Sequence, residues 1–184
     1  MDVGAICPAA GGVGMTVRDL VAGDCAAVRE ALEDCGVFSQ EEVRVAMEMV
    51  ASGLEGGYSL PAIEIDGKVR GYACIGKAPL TVAAWYIYWI CVHPSSQGTG
   101  IGRRLQARIE QVVRQAGGDR LVLETSGRAD YEPTRRFYRG AGFTEAGRIP
   151  DFYKPGDDCV VYYKTLGGTA DRELRDSQSG TGDI

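Results

Sequence analysis

Gln97-Gly98-Thr99-Gly100-Ile101-Gly102-Arg103-Arg104 is the stretch on which the reading of this chain turns. Just upstream, Ala84-Trp85-Tyr86-Ile87-Tyr88-Trp89-Ile90-Cys91-Val92 is bulky at nearly every position. That is the pattern of a central strand buried on both faces, and Pro94, which has no N–H to give a ladder, ends it. Downstream, Ile101, Leu105, Ile109, Val112 and Val113 share one face of a helix that closes at Gly117-Gly118. A glycine turn between a buried strand and a helix is an anion site. Glycine lets the backbone come close, the first N–H groups of the helix lack internal partners, and the helix dipole favours negative charge. Arg103 and Arg104 add donors for charge-assisted bonds to phosphate oxygens.

Working outward, the N-terminal side predicts a short strand over Met15 to Arg18 and then two helices. Asp24 reads as a helix N-cap before a Val28, Leu32, Cys35 stripe that ends at Gly36. Ser39-Gln40-Glu41-Glu42 has capping-box spacing ahead of a Val43, Met47, Val50, Leu54 stripe. A hairpin follows: Ala62 to Ile65 alternates, Asp66-Gly67 is a two-residue turn, and Val69 to Ile75 runs back. Beyond the glycine turn, Leu121-Val122-Leu123 reads as a short buried strand. Pro133 opens a helix that stops at Gly142, and Phe143–Ile149 with Cys159–Lys164 read as a closing strand pair. The order is strand, two helices, three antiparallel strands, helix, strand, helix, two strands: an α/β chain with a mixed, mostly antiparallel sheet of six to seven strands and about four helices.

Three phosphate-binding patterns compete for the turn. A P-loop needs Lys-Ser or Lys-Thr after its last glycine, and none is present. A dinucleotide fingerprint needs its third glycine one residue later than Gly102, and the turn here follows an antiparallel hairpin rather than a βαβ unit. Coenzyme A is the third. The segment Val92 to Leu105 resembles the pyrophosphate-binding segment of GNAT N-acetyltransferases, whose Q/R-x-x-G-x-G/A pattern Gln97, Gly100 and Gly102 fill. Some forty residues on, Arg136-Phe137-Tyr138-Arg139-Gly140-Ala141-Gly142-Phe143 resembles the family's F/L-Y-x-x-x-G-F segment. The resemblance runs from about Met15 to Leu166 and includes the order of elements.

The resemblance implies acetyl-CoA as cosubstrate and transfer of its acetyl group to a primary amine by direct attack in a ternary complex. Pantetheine would lie between Trp85–Val92 and Leu121–Thr125, against backbone groups of Ile90, Cys91 and Val92, with the Val92 N–H holding the thioester carbonyl. The pyrophosphate would rest on Gln97, Gly98, Thr99, Gly100, Ile101, Gly102 and Arg103. Tyr138 takes the position of the tyrosine that protonates the departing thiolate. Where many relatives place an Asn seven residues earlier, this chain has Tyr131, a substitute contact to pantetheine. A lysine-like amine is protonated at neutral pH and must lose a proton before attacking. Glu64 and Glu124 are the candidate bases, with Tyr86 and Tyr88 behind them; His93, at the strand end, is expected to face away. Asp151 to Asp158 is expected to frame the acceptor pocket. The acceptor stays open among small-molecule, peptide N-terminal and lysine amines. A non-catalytic CoA-binding sensor or scaffold is the alternative function.

Composition agrees with a single globular domain over 15–166, with a flexible leader (1–14) and a disordered tail (167–184) expected on either side, in 184 residues. A net charge of -5 argues against nucleic-acid binding as the main task. The six cysteines form no C-x-x-C pair, and with a single histidine no Cys/His metal site is expected. Cys91, in an apolar strand, is expected to be inert as a nucleophile. Reduced thiols, no signal-peptide pattern and no apolar run near ~18 residues lead to an expected cytoplasmic location. No membrane partner is expected, and a homodimer is in keeping with the family.

Overall fold

The computed structural model describes residues 14–167; apart from Gly14 and Gly167, the expected leader and tail lie outside the described residues. Seven strands and four helices follow in the order β1 (Met15–Asp19), α1 (Cys25–Asp34), α2 (Gln40–Leu54), β2 (Pro61–Ile65), β3 (Lys68–Lys77), β4 (Ala84–Val92), α3 (Ile101–Gln115), β5 (Arg120–Ser126), α4 (Glu132–Gly140), β6 (Thr144–Lys154) and β7 (Asp157–Thr165). The strands form one sheet ordered β1-β2-β3-β4-β5-β7-β6. Only the β4–β5 pair is parallel; the others are antiparallel.

Helices cover both faces. Val28 and Leu32 of α1, with Val43, Ala46 and Val50 of α2, pack on Tyr72, Cys74 and Cys91. Leu105, Ile109 and Val113 of α3, with Tyr138 and Phe143, pack on Ile63, Ile75, Leu121 and Leu123 on the other face. The buried stripe of α2 is therefore turned from the expected one: Ala46 lies in the core, while Leu54 is exposed at the last turn.

Local chemistry sets the ends. Ser39 Oγ accepts from the Glu42 N–H, and the Glu42 carboxylate accepts from the Ser39 N–H, closing the expected capping box. Asp24 behaves differently. It precedes α1 but caps nothing there; its carboxylate turns back to the Val21 N–H and to Arg18, because a 3-10 turn over Ala22–Asp24 intervenes.

The departure that matters most lies in β4. Opposite β3, Cys74 pairs with Trp89 and Ile75 with Ile87, so Tyr88 is an extra residue on β4. Such a bulge bends a strand and increases its twist. On its other edge β4 pairs with β5 only from Ala84 to Tyr86, opposite Arg120 to Val122. Beyond that point the two strands part. β4 is central, as read from sequence, but not buried throughout: Tyr88 is exposed and Tyr86 half-buried, because they face the gap.

Candidate active site

The gap between β4 and β5 opens into a cleft of about 770 Å³. Tyr86 to Ile90 form one wall, and Glu124, Thr125 and Ser126 of β5 the other. Tyr131, Thr134 and Tyr138 contribute from the α4 side. Val37, Phe38, Ser39 and Glu42 close it from the α1–α2 connection, and Tyr153, Lys154 and Asp157 from the β6–β7 hairpin. With no strand beside them, the β5-facing backbone groups of Ile87 to Val92 are free of the ladder that β3 supplies on the opposite edge.

Tyr138 is 5% exposed and packs its ring against Phe137, Phe143 and Tyr162. Among the described residues no side chain or backbone group bonds its hydroxyl. Burial, with Tyr131 adding, pushes its pKa well above the ordinary phenol value, so the group stays protonated. Tyr131 is half-buried, lines the same cleft and lies under the Arg128 guanidinium, 5.1 Å from its ring centroid.

The two candidate bases separate. Glu124 lines the cleft on β5. Glu64 does not: it sits on β2, two strands from β4, and accepts from Arg18 Nε at 2.8 Å. A carboxylate held by a guanidinium outside the cleft cannot take a proton from an amine inside it, which removes Glu64 as a base. Tyr86 and Tyr88 both line the cleft.

At the far end of β4 the chain turns into α3. Gly98 and Gly100 have φ of 75° and 88°, a region costly for residues with a Cβ. Gly100 occupies the N-cap position of α3, where no side chain satisfies the first N–H groups and no acid lies in the first turn. The contrast with the sealed start of α2 is direct. The N–H groups of Ile101, Gly102 and Arg103 remain open, while Arg103 and Arg104 are exposed and unpaired among the described residues. Gln97 Nε2 donates to the Val92 carbonyl at 3.1 Å and Thr99 Oγ1 to the Ser96 carbonyl at 2.6 Å, fixing the turn on the strand end. Ile101 buries its side chain, so only its backbone is presented. This surface fits a pyrophosphate, and it continues the free edge of β4: Ile90 lines the cleft, while Cys91, Val92 and the turn lie further along.

His93 faces away, as expected. Its Nδ1 accepts from the Ser95 N–H at 3.2 Å, and its Nε2 lies 3.3 Å from Asp34 on α1. Glu30, Asp34 and His93 cluster within 4.8 Å. Both acids are exposed, His93 Nε2 has no hydrogen-bond partner among the described residues, and the group lies outside the cleft.

The sequence missed several parts of this site. Ser39 and Glu42 read only as a cap, yet they wall the cleft. Ser126, Arg128 and Arg135 carried no signal. Arg135 is 6% exposed and donates to the carbonyls of Ser126 (2.6 Å) and Arg128 (2.8 Å), tying α4 to the end of β5. Asp157 is buried, and Ser126 Oγ donates to it.

The family model of the GNAT acetyltransferases matches residues 25–143. A crystal structure described as a GNAT-family acetyltransferase from Desulfovibrio desulfuricans is 38% identical, with a TM-score of 0.80, covering 84% of this chain and 100% of that one. The L-methionine sulfoximine/L-methionine sulfone acetyltransferase of Salmonella typhimurium is 29% identical, covering 74% of this chain and 84% of that protein. An acetyltransferase of Salmonella typhimurium solved with acetyl-CoA superposes at a TM-score of 0.68 over 85% of this chain and 96% of its own; at 22% identity that likeness supports the fold. The chain belongs to the GNAT acetyltransferase family. It is an N-acetyltransferase with acetyl-CoA as cosubstrate, and the catalytic reading prevails over the sensor alternative. Among the described residues no helix is long and apolar enough to cross a membrane.

Proposed function

We propose that the chain acetylates a small primary amine of the amino-acid type by direct attack, with Tyr138 as the acid and Glu124 as the route by which the amine loses its proton. The observation that carries this reading is that Tyr138 and Glu124, from different elements, line one cleft at the place where β4 and β5 part.

Bound acetyl-CoA supplies an activated acetyl group and a thiolate leaving group. Everything else falls to the chain. The open N–H groups of α3, with Gly98, Gly100 and Arg103, grip the pyrophosphate. The free edge of β4 from Ile90 to Val92 takes the amide-bearing arm, and Tyr131 contacts it from the turn that precedes α4. The Val92 N–H orients the thioester carbonyl and favours negative charge on its oxygen. Tyr138, kept protonated by burial, hands its proton to the departing sulfur. Glu124 accepts the ammonium proton directly or through one water.

Two features favour a small zwitterionic acceptor. The cleft carries acids (Glu42, Glu124, Asp157) beside cations (Arg128, Lys154), with Phe38, Tyr86, Tyr88 and Tyr153 as apolar walls. The Salmonella relative named above acts on methionine derivatives. The test is release of free CoA on addition of L-methionine sulfone, other amino acids, diamines and N-terminal peptides. Turnover with amino acids and none with peptides is expected; preference for peptides would reverse the assignment. A cytoplasmic location and a homodimer complete the reading.

A further inference from the structure

Two thiols meet beside the cleft. Cys35 ends α1 and Cys91 lies in β4, 56 residues away in sequence, and their sulfurs are 3.4 Å apart. Each also contacts a backbone carbonyl, Cys35 that of Val92 (3.6 Å) and Cys91 that of Ala31 (3.5 Å). The pairing is asymmetric in access: Cys91 is 4% exposed, whereas Cys35 is half-buried and open to small solutes. It is also asymmetric in rigidity. Cys91 is held in a central strand opposite Tyr72. Cys35 is followed by Gly36, whose φ is 67° and where a side chain would meet only open space. Bonding requires the sulfurs to close to about 2.05 Å, a movement that the end of α1 can make and the strand cannot.

We propose that Cys35 and Cys91 form a reversible disulfide in response to peroxide. The Cys35 thiolate attacks one peroxide oxygen and the O–O bond breaks. This leaves Cys35 as a sulfenic acid and hydroxide, which takes a proton to become water. The Cys91 sulfur then displaces the sulfenic hydroxyl; its thiol proton leaves with that group as a second water, and the S–S bond forms. Two thiols are oxidised, and one peroxide is reduced to two waters. The hydrogen bond between Cys35 and Cys91 holds the Cys35 thiol below the ordinary cysteine value against the opposing effect of burial, favouring the thiolate. Cys91 and Cys74 are both pushed up, Cys91 by its hydrogen bond to Cys35 and by burial, Cys74 to about 12 by burial alone; both stay thiols toward peroxide, and Cys91 enters only once the Cys35 sulfenic acid lies against it.

The consequence follows from position. Cys35 leads directly into Val37, Phe38 and Ser39, which wall the cleft, and the Phe38 ring lies 5.3 Å from that of Trp89. Drawing the end of α1 onto β4 shifts that wall and leaves the turn at 97–103 in place. The effect on the acceptor rests on the proposed reading of the cleft; the cross-link itself does not.

The experiment treats reduced full-length protein with hydrogen peroxide, then counts free thiols after denaturation, weighs the intact chain and maps its peptides. Wild type is expected to lose two thiols and two hydrogens in mass. The peptides carrying Cys35 and Cys91 should be joined, and dithiothreitol should restore them. Cys35→Ser and Cys91→Ser should not form this cross-link. Trp89 emission should change with oxidation in wild type only, while acetyl-CoA affinity stays within about twofold, a change smaller than 0.5 kcal/mol. Oxidation that adds oxygen without joining the two peptides, or a link that joins either to another cysteine, would overturn the proposal.

Discussion

Gly102 of α3 lies against the ring of Phe137 on α4, and a Cβ at 102 would stand 3.1 Å from Phe137 Cε2. The glycine therefore does more than open a turn. It lets the helix that starts the anion site approach the helix that carries Tyr138, so the two sequence motifs are in contact. Gly102→Val should cost about 1–3 kcal/mol from overpacking, measured by urea unfolding. Adding Phe137→Leu should recover part of that loss. Additive losses in the double variant would show that the contact is not the constraint.

Tyr138→Phe removes a hydroxyl that burial keeps protonated. We expect kcat to fall by about 10²- to 10⁴-fold, with the KM for acetyl-CoA little changed and the fold intact. Because the phenol pKa is raised, its titration should not limit wild-type activity on the alkaline side near neutrality. A variant with unchanged kcat would remove Tyr138 from the chemistry.

Arg135→Lys keeps a positive charge but loses the planar guanidinium whose Nη1 bonds two carbonyls while its Nε donates to Glu132. The end of β5 and the start of α4 should loosen, lowering stability by about 1–3 kcal/mol. If Arg135 also positions Tyr138, kcat should drop more than the KM for acetyl-CoA rises. A change in KM alone would confine Arg135 to the shape of the groove.

Asp24 accepts from both terminal nitrogens of Arg18, at 2.6 and 2.8 Å, and from the Val21 N–H at 2.8 Å. The Arg18 bonds, foremost, hold its carboxyl below the ordinary value of 3.8, with burial opposing. A depressed folded value means stabilisation that is full above the unfolded pKa and lost as pH falls through the folded one. Asp24→Asn should therefore cost about 2 kcal/mol at neutral pH. The gap from wild type should narrow below about pH 4. A gap independent of pH would point to packing rather than charge.

Much of this was legible in the chain itself because local chemistry dictated it. Ser39 and Glu42 specify a capping box, Asp66-Gly67 a hairpin, and glycines at 98 and 100 a turn that only they adopt cheaply. What escaped was long-range. The extra residue Tyr88 shows only in the register against β3, so the parting of β4 from β5 could not be read from a run of bulky side chains. Glu64 and Glu124 look alike along their strands. Sheet order alone puts one beside Arg18 and the other in the cleft. Arg135 reads as one more surface arginine until the ends of β5 and α4 come together.

Calorimetric titration of acetyl-CoA into wild type and Gly100→Glu tests the central claim most directly, since residue 100 has a positive φ and stands where a cap would close the anion site. Micromolar binding by wild type, weakened at least about 100-fold (roughly 2.7 kcal/mol) in a folded variant, is the predicted result. Equal binding by the two proteins, or none by wild type, would contradict it.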